Sequence, residues 1–93
     1  MRTIHKFLLK AGENIIELGV MDTVLDVQIQ DGQPHMWVLI HDTGAPRSTR
    51  KFKIYGTGHE IIEASHRLDY ISTFQLRGQI WGNMVWHVFE IST

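Results

Sequence analysis

The sequence predicts a small antiparallel β-sandwich or barrel of about seven strands, all-β or β with one short helix. Three observations lead there. Apolar and polar residues alternate at period two along most of the chain, turn signals recur roughly every eight to twelve residues, and no run of strands alternates with long amphipathic helices. A chain of 93 residues holds one core, so residues 1–93 are expected to form a single domain without linker or repeat.

Each element follows from the same reading. Thr3 to Leu9 alternates, with Thr3, His5, Phe7 and Leu9 on one face and Ile4, Lys6 and Leu8 on the other. Ala11-Gly12-Glu13-Asn14 signals a turn into a short strand, Ile15 to Leu18. Val24 to Gln30 is the next strand, with Leu25, Val27 and Ile29 predicted to face inward. Asp31-Gly32 supplies the positive φ angles of a tight hairpin. Its partner, His35 to Asp42, is apolar on both faces and reads as a central strand. Thr43-Gly44-Ala45-Pro46 breaks the pattern before Arg47 to Tyr55, where Phe52 and Ile54 alternate with Lys51, Lys53 and Tyr55.

Gly56-Thr57-Gly58-His59 is a turn whose two glycines are read as meeting a need for positive φ. Glu60 to Arg67 tolerates one or two turns of helix. Leu68 to Leu76 resumes strand character, Arg77-Gly78-Gln79 turns, and Ile80 to Ile91 is read as a long last strand with a bend at Gly82-Asn83.

Composition narrows the function classes. Nine basic and ten acidic residues give a formal net charge of -1, which offers no global field for nucleic acid or an anionic membrane. Sequence-specific nucleic-acid binding and membrane insertion are not expected, and no segment approaches 18 apolar residues. Without cysteine there is no thiolate nucleophile, disulfide or cysteine-bound zinc, which fits a reducing, cytoplasmic setting. No cofactor motif is present.

Candidate chemistry concentrates in four places. Arg47, Arg50, Lys51 and Lys53, with Tyr55, form the basic segment, suited to phosphate through forked Arg contacts and Lys point charges. The competing reading is an edge strand whose lysines discourage aggregation. Gly56, Thr57, Gly58 and His59 could offer successive backbone N–H groups to an anion. Trp81, ahead of the Gly82-Asn83 bend, is the tryptophan expected to stay partly exposed, and His87 shares a strand face with Val85, Phe89 and Ile91. His59, Glu63 and His66 fall at i, i+4 and i+7, the spacing of metal ligands if residues 60–67 were helical.

The opening Met1-Arg2-Thr3-Ile4-His5-Lys6-Phe7, the middle Gly56-Thr57-Gly58-His59-Glu60-Ile61 and the ending Val85-Trp86-His87-Val88-Phe89-Glu90 resemble short proteins encoded mainly by bacteriophages and prophages, a family described only as a domain of unknown function. The resemblance implies action inside an infected bacterium, in the host cytoplasm. The expected function is a non-enzymatic, homo-oligomeric protein binding a small anionic, nucleotide-type ligand to counter host defence. Its expected residues are Arg47, Arg50, Lys51, Lys53, Tyr55, Gly56, Thr57, Gly58, His59, Trp81 and His87. The alternatives are a module that inhibits a host bacterial protein through a strand edge or aromatic patch, and a metal-dependent hydrolase.

Overall fold

Among the described residues, seven strands assemble into two antiparallel sheets that face one another as a sandwich and do not close into a barrel. The structure, a computed structural model, describes every residue except Ala45, Ile80 and Thr93. In chain order the strands are β1 (Arg2–Leu8), β2 (Gly12–Gly19), β3 (Thr23–Gln30), β4 (Gln33–His41), β5 (Arg47–Gly56), β6 (Leu68–Leu76) and β7 (Met84–Ile91). One sheet has the order β1-β4-β3, the other β2-β5-β7-β6.

The β3–β4 hairpin forms as Asp31-Gly32 predicts, with φ of 54° and 74° at those two residues. β4 is central in its sheet, which explains why Trp37 and Leu39 alternate with the fully buried Met36 and Val38. Facing them across the sandwich are Phe52, Val88 and Leu18, each fully buried. Burying a side chain as large as Phe52 contributes about 1.5–3 kcal/mol, so a handful of such positions sets the register of both sheets.

Several expectations are corrected. A bulge between Val24 and Asp26 inserts Leu25 as an extra residue, so Val24 takes the inward place and Leu25 is left 49% exposed. Ile29, near the hairpin end, is also exposed. Residues 60–64 are not helical, and the segment contains only a 3₁₀ turn, Ser65–Arg67. The last strand begins at Met84, after Trp81 to Asn83; the predicted start at Ile80 lies outside the described residues. β5, the basic strand, lies between β2 and β7 and is not an edge.

Gly56 is corrected too. It closes β5 as a buried residue without positive φ, and only Gly58 in that turn has one, at 90°. A Cβ on Gly56 would lie 2.6 Å from Met84 Cε and 2.8 Å from His59 Cε1, so lack of space explains the glycine.

Candidate functional site

The alternation of β5 divides the predicted basic cluster between two faces. Arg50 shares the inward face with Phe52 and Ile54, while Arg47, Lys51, Lys53 and Tyr55 belong to the outward one. Inside, Arg50 holds both carboxylate oxygens of Glu90, at 2.7 and 2.8 Å, and donates to the carbonyls of Asp22 (2.7 Å) and Gly19 (3.2 Å). The Glu90 hydrogen bonds raise its pKa above the ordinary arginine value against the opposing effect of burial. All of these contacts bind the sandwich together at one end.

Outside, each cation meets a group of the same chain. Arg47 donates to the Glu17 carbonyl at 3.0 Å, and Lys51 pairs with Glu13 at 3.1 Å. Lys53 donates to Glu63, which also accepts from the Tyr55 hydroxyl. Glu63 comes from the irregular segment after β5, which returns over the outward face of the sheet. The Lys53 and Tyr55 hydrogen bonds hold the Glu63 carboxyl down at about 2. In turn, the Lys53 ammonium is shifted up by its hydrogen bond to Glu63, and the Tyr55 phenol is shifted up first by burial and then by the same carboxylate.

Gly56 to His59 is not an N–H nest. Gly56 N–H donates to His59 Nδ1 at 3.3 Å, Thr57 N–H to the Val85 carbonyl at 3.0 Å, and His59 N–H to the Gly56 carbonyl at 3.0 Å. The His59 ring stands edge-on to Trp86, with centroids 5.6 Å apart. Lys53, Tyr55 and His59, with Trp86, Glu13 and Glu60, line an open hollow of ≈ 580 Å³ beside the start of β2. Three of the predicted residues therefore meet at one place, and Arg50 is excluded from it.

His87 lies in the same row as Tyr55 on the same sheet face, paired across to Tyr55 and Thr73. Its Nε2 is 2.8 Å from Thr57 Oγ1, which also lies 3.1 Å from the Val85 carbonyl. Its Nδ1 is hydrogen-bonded to Thr73 Oγ1 at 3.1 Å, and Thr73 Oγ1 to Tyr70 Oη at 2.7 Å. The chain of bonds ties β6, β7 and the turn together. Phe89 in the next row has Tyr70 and Tyr55 edge-on at 5.8 and 6.4 Å.

Trp81 differs from expectation. It is only 7% exposed, stands edge-on to Trp86 at 5.2 Å and to Phe74 at 5.9 Å, and its carbonyl accepts from Trp86 Nε1 at 3.1 Å. A chain this small uses its large rings for the core. The metal reading loses its helix, and with it the shared face for His59, Glu63 and His66. Among the described residues no group of three His, Asp or Glu side chains could hold a metal ion.

With the geometry in place, the comparisons add the family. The chain belongs to the Domain of unknown function (DUF7352) family, whose model matches residues 1–93. Neither a curated protein nor a solved structure matches it. Membership in this DUF7352 family agrees with the resemblance to a domain of unknown function read from the opening, middle and closing motifs. No helix among the described residues is long and apolar enough to cross a membrane.

Sequence reasoning missed Glu63 as the partner of Lys53 and Tyr55, since a separation of 10 residues across an irregular segment carries no pattern. The Arg50–Glu90 pair did leave a signal. Arg50 falls on the face of Phe52 and Ile54, and Glu90 on that of Trp86 and Val88, so two opposite charges lay on inward faces of neighbouring strands.

Proposed function

We propose that the domain is a non-catalytic binding protein for a small anionic ligand, held at the hollow formed by Lys53, Tyr55 and His59. The observation that carries this reading is the Glu63 carboxylate on Lys53 and Tyr55: this corner of the sheet already engages an oxyanion, its own. An external phosphate or carboxylate would take the place of Glu63, with charge-assisted bonds of the same kind. Phe89, Tyr55 and Tyr70 offer ring faces and edges nearby, which suits a nucleotide over inorganic phosphate.

Among the described residues the hydrogen bonds of His87 run to Thr57 and Thr73, so its ring is held by a hydroxyl in place of the orienting carboxylate of a hydrolytic set. In the phage setting that the motifs suggest, the ligand would be a nucleotide-type host defence signal, removed by binding in the bacterial cytoplasm.

The test is calorimetric titration with adenosine monophosphate, cyclic dinucleotides and inorganic phosphate, against the parent and Glu63→Gln. Binding by the parent, at least ~5-fold tighter in Glu63→Gln, is expected because the internal competitor is gone, and absence of binding in both proteins refutes the reading.

A further inference from the structure

The sandwich has one protected side and one open side. On the protected side β3 and β6 lie together, with Ser72 Oγ donating to the Val27 carbonyl at 3.2 Å, and each strand carries a register shift. On the open side lie β1 and β2, the ends of the two sheets, whose ladders run without interruption from Arg2 to Leu8 and from Gly12 to Gly19. Bulges blunt an edge against further pairing, and these two edges have none.

The hydrogen-bond phase of both edges can be worked out. Met1 O accepts from Asp42 N at 2.9 Å and Leu9 N donates to Pro34 O at 3.0 Å, at the two ends of one unbroken register. Odd residues of β1 therefore exchange bonds with β4, and Arg2, Ile4, Lys6 and Leu8 direct their N–H and C=O groups outward. In β5, Thr57 N donates to Val85 O, so its odd residues face β7 and its even residues face β2. Their β2 partners are even as well, Gly12 with Ile54 and Asn14 with Phe52, which leaves Glu13, Ile15 and Glu17 directing backbone groups outward.

These two outward sets complement each other. One reads Arg2, Ile4, Lys6; the other, in reverse, Glu17, Ile15, Glu13. Ile4 is 59% exposed and Ile15 is 54% exposed. We infer that the partner of this open side is a second copy of the chain. β1 of each copy pairs antiparallel with β2 of the other, setting Arg2 opposite Glu17, Ile4 opposite Ile15 and Lys6 opposite Glu13.

Shifting the register by two residues either way puts Ile4 against Glu13 or Glu17, so the charges select one alignment. A two-fold axis along the open side, parallel to the strands, exchanges the two sheets and satisfies both edges at once. The three strands of one sheet then continue into the four of the other copy's sheet, and the assembly closes as a dimer. Glu13 also lines the Lys53, Tyr55 and His59 hollow, so Lys6 of the second copy arrives at its lip and adds a cation there.

Charge reversal tests the arrangement by size-exclusion chromatography with light scattering. The parent is expected at twice its 10.8 kDa chain mass. Arg2→Glu/Lys6→Glu and Glu13→Lys/Glu17→Lys are each expected at the monomer mass. An equimolar mixture of the two is expected to dimerise again, because both contacts of the mixed pair regain opposite charges. A monomeric parent at the highest concentration attained overturns the inference, as does dimerisation of either variant alone.

A second readout does not depend on charge. Residues opposite each other in a hydrogen-bonded antiparallel pair lie about 5.5 Å apart between Cα atoms, within disulfide range. In a chain without cysteine, Ile4→Cys/Ile15→Cys is expected to oxidise to a covalent dimer while Ile4→Cys alone does not. Crosslinking by Ile4→Cys alone would mean that β1 pairs with β1, and the inference would fail.

Discussion

Replacing Arg50 with methionine separates a structural cation from a ligand-binding one. The substitution leaves the Glu90 carboxylate without its two hydrogen bonds, takes the Arg50 donor from the Asp22 carbonyl, and leaves the Gly19 carbonyl with only the Asp22 amide. Removing one member of a buried pair costs about 3–5 kcal/mol, and because the two side chains are 18% and 22% exposed, about 2–4 kcal/mol is expected here. For a chain of this size that lowers Tm by roughly 10–25 °C. The double variant Arg50→Met/Glu90→Leu removes both charges from the inward face and is expected to regain at least ~1.5 kcal/mol of the loss. Urea and thermal melts of the four proteins, followed by circular dichroism and tryptophan emission, provide the cycle. An Arg50→Met protein melting within ~3 °C of the parent, or a coupling below ~0.5 kcal/mol, would refute the assignment.

Three further outcomes follow from the same geometry. Asp22, 5% exposed, accepts from Gly19 N at 2.7 Å and His41 N at 2.8 Å, so Asp22→Ala strands two amides and is expected to cost about 1–3 kcal/mol in urea denaturation. Acid should act on two lowered carboxyls: Asp22, held down chiefly by the His41 amide, and Glu63, held at about 2. Their stabilisation is complete above the ordinary values, 3.8 for Asp22 and 4.5 for Glu63, and is lost as pH falls through the lowered ones, so Tm should be flat from neutral pH to about 5 and then decline, less steeply in Glu63→Gln. Gly56→Ala must displace the ends of Met84 and His59, both flexible side chains. It is expected to cost about 1–2 kcal/mol and to change tryptophan emission as the His59 ring leaves Trp86, whereas unchanged emission would count against that contact.

Most of the sandwich was legible because its signals are local. Period-two alternation placed Phe52 and Ile54 inward, Asp31-Gly32 gave the hairpin, and the two apolar faces of β4 marked it as central. What was not legible depends on where strands break their own period. Leu25 reads as inward until a bulge adds one residue, and nothing in Val24-Leu25-Asp26 signals that the ladder slips there. Trp81 reads as a loop tryptophan because its burial is supplied by Phe74 and Trp86 from two other segments. The candidate site was legible as a segment but not as a surface. Four cations in seven residues look like one patch in sequence, while the strand sends Arg50 to the interior and the others to the opposite face.

The pairing of those remaining cations bears on how the protein would discriminate among ligands. A bare basic strand attracts any polyanion, with an affinity set mainly by salt. Here Lys51 and Lys53 are matched by Glu13 and Glu63, and a ligand has to compete with a carboxylate that is already in place. A singly charged anion gains little by exchanging one carboxylate for another. A ligand that also contacts rings such as Tyr55 and Phe89 adds interactions that Glu63 does not make, and selectivity then comes from the difference between the two occupants. Glu13 ties the same corner to the open edge of β2, where Lys6 of a second copy would share its charge and leave Lys51 less fully matched. On this account dimerisation raises the positive potential at the hollow, and the Arg2→Glu/Lys6→Glu variant should bind anions more weakly than the parent although neither residue lies in the hollow of its own chain.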